Sequence, residues 1–112
     1  MRLKILREDD AFVHIALIGR LDIAGVNEIQ LEFLHQTTSL PRNAMVDLAE
    51  LTYLASLGIS MLVSAAKKLE RNGARMVLLH PSPLVRKALE TSSLQEVIPI
   101  ATAEAAALEM LR

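Results

Sequence analysis

Polar and apolar positions fall in blocks along the chain, and the period changes from block to block. Leu3 to Leu6 reads as a short strand and Phe12 to Ile18 as a second. The polar Glu8-Asp9-Asp10 between them predicts a turn, so the two strands form a hairpin. Gly19 and Asp22 bracket a further turn, after which Val26, Ile29, Phe33 and Leu34 recur at helical spacing with Asp22 as the N-cap. Pro41-Arg42-Asn43 ends that helix, and Ala44 to Leu48 makes a third strand. A loop then leads to Ser56, where a second helix is expected to begin. Its apolar side is Leu57, Met61, Leu62, Ala65 and Leu69; Lys67, Lys68 and Arg71 crowd its end, and Gly73 suits the position just beyond. Met76 to Leu79 is a continuous apolar run fit for burial on both faces. Ser82-Pro83 reads as N-cap and first residue of a short helix to about Glu90, Val97 to Ile100 as a fifth strand, and Thr102 as the cap of an Ala-rich helix through Leu111.

Strands separated by helices of this length need parallel, right-handed crossovers. The expected fold is therefore α/β: one domain over residues 1–112, with a mixed five-stranded sheet. The initial β-hairpin supplies its antiparallel portion, alternating strands and helices the rest, and about four helices cover it.

Composition then removes several classes of function. The 112 residues suit one core, and with 52% apolar but only 3% aromatic residues that core is aliphatic. Twelve basic residues against thirteen acidic ones give a net charge of −1, which argues against a nucleic-acid partner. The absence of cysteine excludes disulfides, thiolate metal sites and cysteine nucleophiles. The N-terminus is charged, without an uninterrupted apolar signal segment, and no apolar run approaches the ~18 residues of a membrane span. A cytoplasmic protein without membrane insertion is expected. A mean hydropathy of +0.33 suggests apolar surface kept for a partner.

Chemistry is sparse. None of the glycine-rich phosphate loops, the zinc-protease helix motif or the serine-hydrolase elbow occurs, and Gly19, Gly25, Gly58 and Gly73 are scattered. His14, His35 and His80 lie far apart on different elements, which favours structural roles over metal ligation or base catalysis. Asp22 is accounted for by capping. Asp47 lies near the C-terminal end of its strand, where open α/β sheets gather functional groups, and admits either a structural or a functional role. Ser56 has no nominated base, so the expectation is a non-enzyme with neither metal nor cofactor. As a cap, Ser56 would contribute about 1 kcal/mol. As a modification site, it would bring a phosphoryl group of roughly −1.5 to −2 charge to an electropositive helix start amid apolar neighbours.

The stretch Val46-Asp-Leu-Ala-Glu-Leu-Thr-Tyr-Leu-Ala-Ser-Leu-Gly-Ile59 resembles the central motif of STAS domains, the family of bacterial anti-sigma-factor antagonists. In that motif a strand ending in Val-Asp-Leu leads to Asp-Ser-x-Gly at a helix start. Gly19-Arg-Leu-Asp22 is similar to the family's Gly-x-Leu-Asp turn. Ala74 to Leu79, Pro81-Ser-Pro83 and Val85 to Glu90 are similar to its later strand and helix, so the likeness runs from about Leu3 to Met110. It implies a partner-switching regulator in which Ser56 is the phosphoacceptor. The unmodified domain binds an anti-sigma factor that is also a GHKL-type serine kinase; phosphorylation weakens that binding, and a PPM-type phosphatase restores it. The implied contact surface is Tyr53, Leu54, Ala55, Ser56, Leu57, Gly58 and Ile59 together with the Asp22 turn. Ala55 departs from the family's Asp and Leu57 from a small polar residue, which makes the loop more apolar. That departure keeps a second reading open, a constitutive scaffold subunit of a larger assembly such as a lipid-transport ABC complex, without phospho-switching. A small enzyme or nucleotide-binding protein ranks last.

Overall fold

In the computed structural model, residues 1–111 are described; the last residue of the expected domain, Arg112, lies outside the described residues. The chain starts with a hairpin, β1 (Arg2–Glu8) and β2 (Phe12–Leu21), closed where the Asp9 carboxylate accepts the amides of Ala11 and Phe12. Helix α1 (Ile23–Thr38) crosses to β3 (Asn43–Asp47), then come β4 (Leu51–Leu54), α2 (Ser56–Arg71) and β5 (Met76–Leu79). Helix α3 (Pro83–Thr91), a single 3-10 turn (Leu94–Glu96), β6 (Ile100–Ala101) and α4 (Glu104–Met110) complete it. The sheet has six strands in the order β1-β2-β3-β5-β6, with β4 also on β2; β1 is antiparallel and every other pairing is parallel.

Alternation along the central strands produces two cores. Val13, Ile15 and Leu17 of β2, Ala44 and Val46 of β3 and Leu78 of β5 face α1, α2 and α3, where they meet Val26, Phe33, Leu62 and Leu89. Met45, Val77, Leu79 and Ala101 point the other way, onto Ala107 of α4. Phe33, fully buried, is the one aromatic ring in the larger core. Arg42, nine-tenths buried, ties the end of α1 to the hairpin: its guanidinium donates to the carbonyls of Asp9 and Gln36 and pairs with Glu8 at 3.1 Å.

Three expectations are corrected. The sheet has six strands rather than five, because β2 runs ten residues and its second half takes a partner of its own. After β3 the chain steps out through Leu48-Ala49-Glu50 and returns to the same edge of β2 as β4. The detour is held by Ala49 N–H on Asp47 Oδ1 (2.9 Å), Leu51 N–H on the Leu48 carbonyl (3.1 Å) and Gly19 N–H on the Glu50 carbonyl (3.0 Å). Asp47 is thus a turn-forming carboxylate. The last strand is Ile100–Ala101 instead of Val97–Ile100, because the amides of Val97 and Ile98 both go to the Leu94 carbonyl and Pro99 has none to give. Helix α4 is capped at Ala103, with no side-chain cap from Thr102.

Candidate functional site

The strand ends at one rim bring the singled-out residues together. Leu21 and Leu54 pair in register at the ends of β2 and β4, and Ala55 N–H extends that pairing onto the Leu21 carbonyl at 3.0 Å. Helices α1 and α2 therefore leave the sheet side by side, the first from Asp22 and the second from Ala55.

At the start of α1 the Asp22 carboxylate accepts the Gly25 amide at 2.8 Å, as its capping role requires. That hydrogen bond, aided by the Arg20 guanidinium, outweighs partial desolvation and holds the Asp22 carboxyl below the usual carboxylate range. Gly25 was not singled out in the sequence, yet its place is strict: a Cβ there would lie 2.1 Å from the Arg20 carbonyl oxygen. The available signal was a glycine in the first turn of a helix, where it is unfavourable by about 1 kcal/mol relative to alanine unless packing demands it. Arg20 was also missed. It lies opposite Tyr53 across the β2–β4 ladder, with its guanidinium carbon 4.4 Å from the ring centre and Nε 3.5 Å from Asp22 Oδ2.

At the start of α2 the structure corrects the capping role of Ser56. Ala55 has extended dihedrals (φ −93°, ψ 167°) and occupies the N-cap position, while Ser56 is already the first helical residue. The reason is the extra ladder bond: Ala55 is held in the sheet by Leu21, and its own carbonyl accepts the first helical amide, that of Ile59 at 3.1 Å. An alanine offers no acceptor, so the amides of Ser56, Leu57 and Gly58 point out of the helix end with no side-chain partner. The Ser56 hydroxyl is exposed and, among the described residues, engages no hydrogen bond.

The neighbours divide into outward and inward sets. Tyr53 (38% exposed) and Leu57 (42%) face solvent, Leu57 contrary to its expected place in the α2 core stripe, and Ala55 and Ile59 are half-buried. Leu54 and Gly58 turn inward. A Cβ on Gly58 would come within 2.8–2.9 Å of the Leu21 and Leu54 side chains, so Gly58 lets α2 pack against the strand ends and offers no surface for contact. Ile23, directly after Asp22, is 66% exposed and adds to the apolar rim.

The three histidines lie apart, His14 buried in β2, His35 exposed on α1 and His80 exposed after β5. Among the described residues no group of three or more His, Asp or Glu is placed to hold a metal ion, and no helix is long and apolar enough to cross a membrane.

The chain as a whole has known counterparts. The STAS domain profile matches residues 4–107. The chain is 28% identical over 98 residues to BtrV of Bordetella bronchiseptica, which carries the name of an anti-sigma factor antagonist, covering 88% of this chain and 84% of that protein. Among solved structures, the anti-sigma factor antagonist SpoIIAA in its unphosphorylated form superposes with a TM-score of 0.78 at 25% identity, over 97% of this chain and 96% of that one. The phosphorylated form of SpoIIAA, the Bacillus cell fate determinant, gives 0.66 at 26% identity, over 99% and 100%. A STAS domain protein of Planctomyces limnophilus superposes with 0.84 at 22% identity, over 98% and 97%, a likeness that carries the fold.

Proposed function

The chain belongs to the STAS domain family, and we propose that it works there as the antagonist in a partner switch. Unmodified, it binds an anti-sigma factor that is also a GHKL-type serine kinase. Phosphorylation of Ser56 releases it, and a PPM-type phosphatase returns it to the binding form. The observation that carries this reading is the state of Ser56: an exposed hydroxyl, free of any capping duty, at the open start of α2. A phosphoryl group there meets unpaired amides and the positive end of the helix dipole, so the modified form is well accommodated within the chain itself. For a partner packed on Tyr53, Ile23 and Leu57, the same group is a dianion to be desolvated without compensation, and binding is lost. SpoIIAA, a relative known in phosphorylated and unphosphorylated forms, supports the same reading.

Ala55 favours a second reading. The family's carboxylate before the serine is missing, so a constitutive docking subunit that never cycles through a phosphorylated form also fits the rim. Substitution separates the two. Affinity for the purified anti-sigma factor kinase is measured by calorimetry for the wild type, Ser56→Ala and Ser56→Glu. A switch predicts that Ser56→Ala binds as the wild type does while Ser56→Glu binds at least tenfold more weakly. Equal affinity for all three supports the scaffold and removes the switch.

A further inference from the structure

Arg20 is held as a receptor with one side left open. One face of its guanidinium lies on the Tyr53 ring, and Nε faces Asp22. Among the described residues Nη1 and Nη2 have no hydrogen-bond partner, and the side chain is 62% exposed. A planar fork held from behind in this way matches a carboxylate through two parallel hydrogen bonds and loses little freedom on binding. The two helix starts beside it add positive partial charge. Helices α1 and α2 both begin at this rim with no acidic residue in the first turn, and α2 lacks a side-chain cap. Of the carboxylates at this rim, Asp22 accepts the Gly25 amide through Oδ1 and faces Arg20 Nε through Oδ2, Asp47 Oδ1 accepts the Ala49 amide, and Glu50 is exposed; none of them occupies Nη1 or Nη2.

We propose that Arg20 selects the partner by charge: the docking protein presents an Asp or Glu side chain to Nη1 and Nη2, flanked by apolar side chains that cover Tyr53, Ile23 and Leu57. This rests on the rim being the docking surface, but it is independent of phosphorylation. It also adds a second reason for release, because a phosphoryl group on Ser56 would enter the field that holds the partner's carboxylate and repel it.

The test uses the intact chain and a phage library of twelve-residue peptides. Panning on the wild type is expected to enrich peptides with Asp or Glu beside Leu, Ile or Phe. Titration of one such synthetic peptide should move the NMR signals of the Arg20 side chain, Tyr53 and Leu57. Arg20→Glu should weaken that peptide at least tenfold, and changing the peptide's Glu to Gln should do the same on the wild-type chain, where protein folding is not in question. The proposal is overturned by enrichment without acidic residues, by equal binding to Arg20→Glu, or by shifts mapped elsewhere. Inorganic phosphate moving the Arg20 signals at lower concentration than the peptide overturns it in favour of a phosphate site. A chain that selects acidic peptides yet is never phosphorylated keeps this inference and loses the switch; phosphorylation at Ser56 without acidic selection does the reverse.

Discussion

Placing an acceptor at residue 55 tests the reading of the α2 start most sharply, because the backbone there already has cap geometry. With φ −93° and ψ 167°, Ala55 needs no rearrangement to receive Asp or Asn, and the amides of Ser56, Leu57 and Gly58 await a side-chain oxygen. A new N-cap contributes about 0.5–2 kcal/mol, typically ~1. A carboxylate at the positive helix end adds about 0.3–1 kcal/mol at low salt. For a chain of 112 residues, an unfolding entropy of about 2.1 cal/mol/K per residue translates 1 kcal/mol into roughly 4 °C of melting temperature. Ala55→Asp should therefore melt about 5–8 °C higher at pH 7, and Ala55→Asn about 4 °C higher, followed by circular dichroism or calorimetry. On acidification that protonates the new carboxyl, the gain in Ala55→Asp should shrink to about that of Ala55→Asn, which itself should not depend on this titration. Ser56→Ala is the matching control: a hydroxyl that caps nothing is removed with a change within about 0.5 kcal/mol. If Ser56→Ala lost a full cap's worth of stability and neither substitution at 55 raised the melting point, the hydroxyl would already occupy the helix end, and the account of the rim would be wrong.

Other expected outcomes follow from the same contacts. Gly25→Ala forces a methyl onto the Arg20 carbonyl and should cost about 1–3 kcal/mol or more in chemical denaturation, whereas the nearest atoms to a methyl in Gly58→Ala belong to the side chains of Leu21 and Leu54, so it should cost less. Phe33→Ala empties the centre of the larger core and should cost about 3–5 kcal/mol in the same assay. Asp22 has its folded carboxyl pKa lowered by the Gly25 amide, so its stabilisation is complete above the unfolded carboxylate pKa and is lost as pH falls through the folded one. The wild type should accordingly show an acid-side fall in melting temperature that Asp22→Asn reduces.

Much of the fold could be read from the chain, since long-range order followed local signals. The hairpin turn at Asp9, the Asp22 and Ser82 caps, the Gly73 stop (φ +80°) and the unbroken run Met76–Leu79 are each written in residues adjacent in sequence. What escaped depends on partners distant in sequence. Strand β4 has only four residues, and its pairing with β2 begins beside Gly19, whose φ of +112° marks the irregularity. One consequence is the misplaced cap: without the β4–β2 ladder nothing locates Ala55 in the sheet, and Ser56 looks like the last residue before the helix. Arg20 and Tyr53 likewise meet across that ladder, and Gly25 is required by a carbonyl five residues back that approaches only once Asp22 has turned the chain. Leu57 satisfied the helical period but sits in a first turn that projects beyond the strand ends, where Gly58 takes the inward place. The candidate site was therefore legible as a location, and its inward and outward sides became distinct only in three dimensions.

The most direct measurement is intact-protein mass spectrometry with peptide mapping after incubation of the chain with the GHKL-type kinase that binds it and ATP. One phosphoryl group on Ser56, absent from Ser56→Ala and accompanied by loss of the complex, is the predicted result. Phosphate on Ser60 or Ser64 instead, or a stable complex that never modifies the chain, would contradict it.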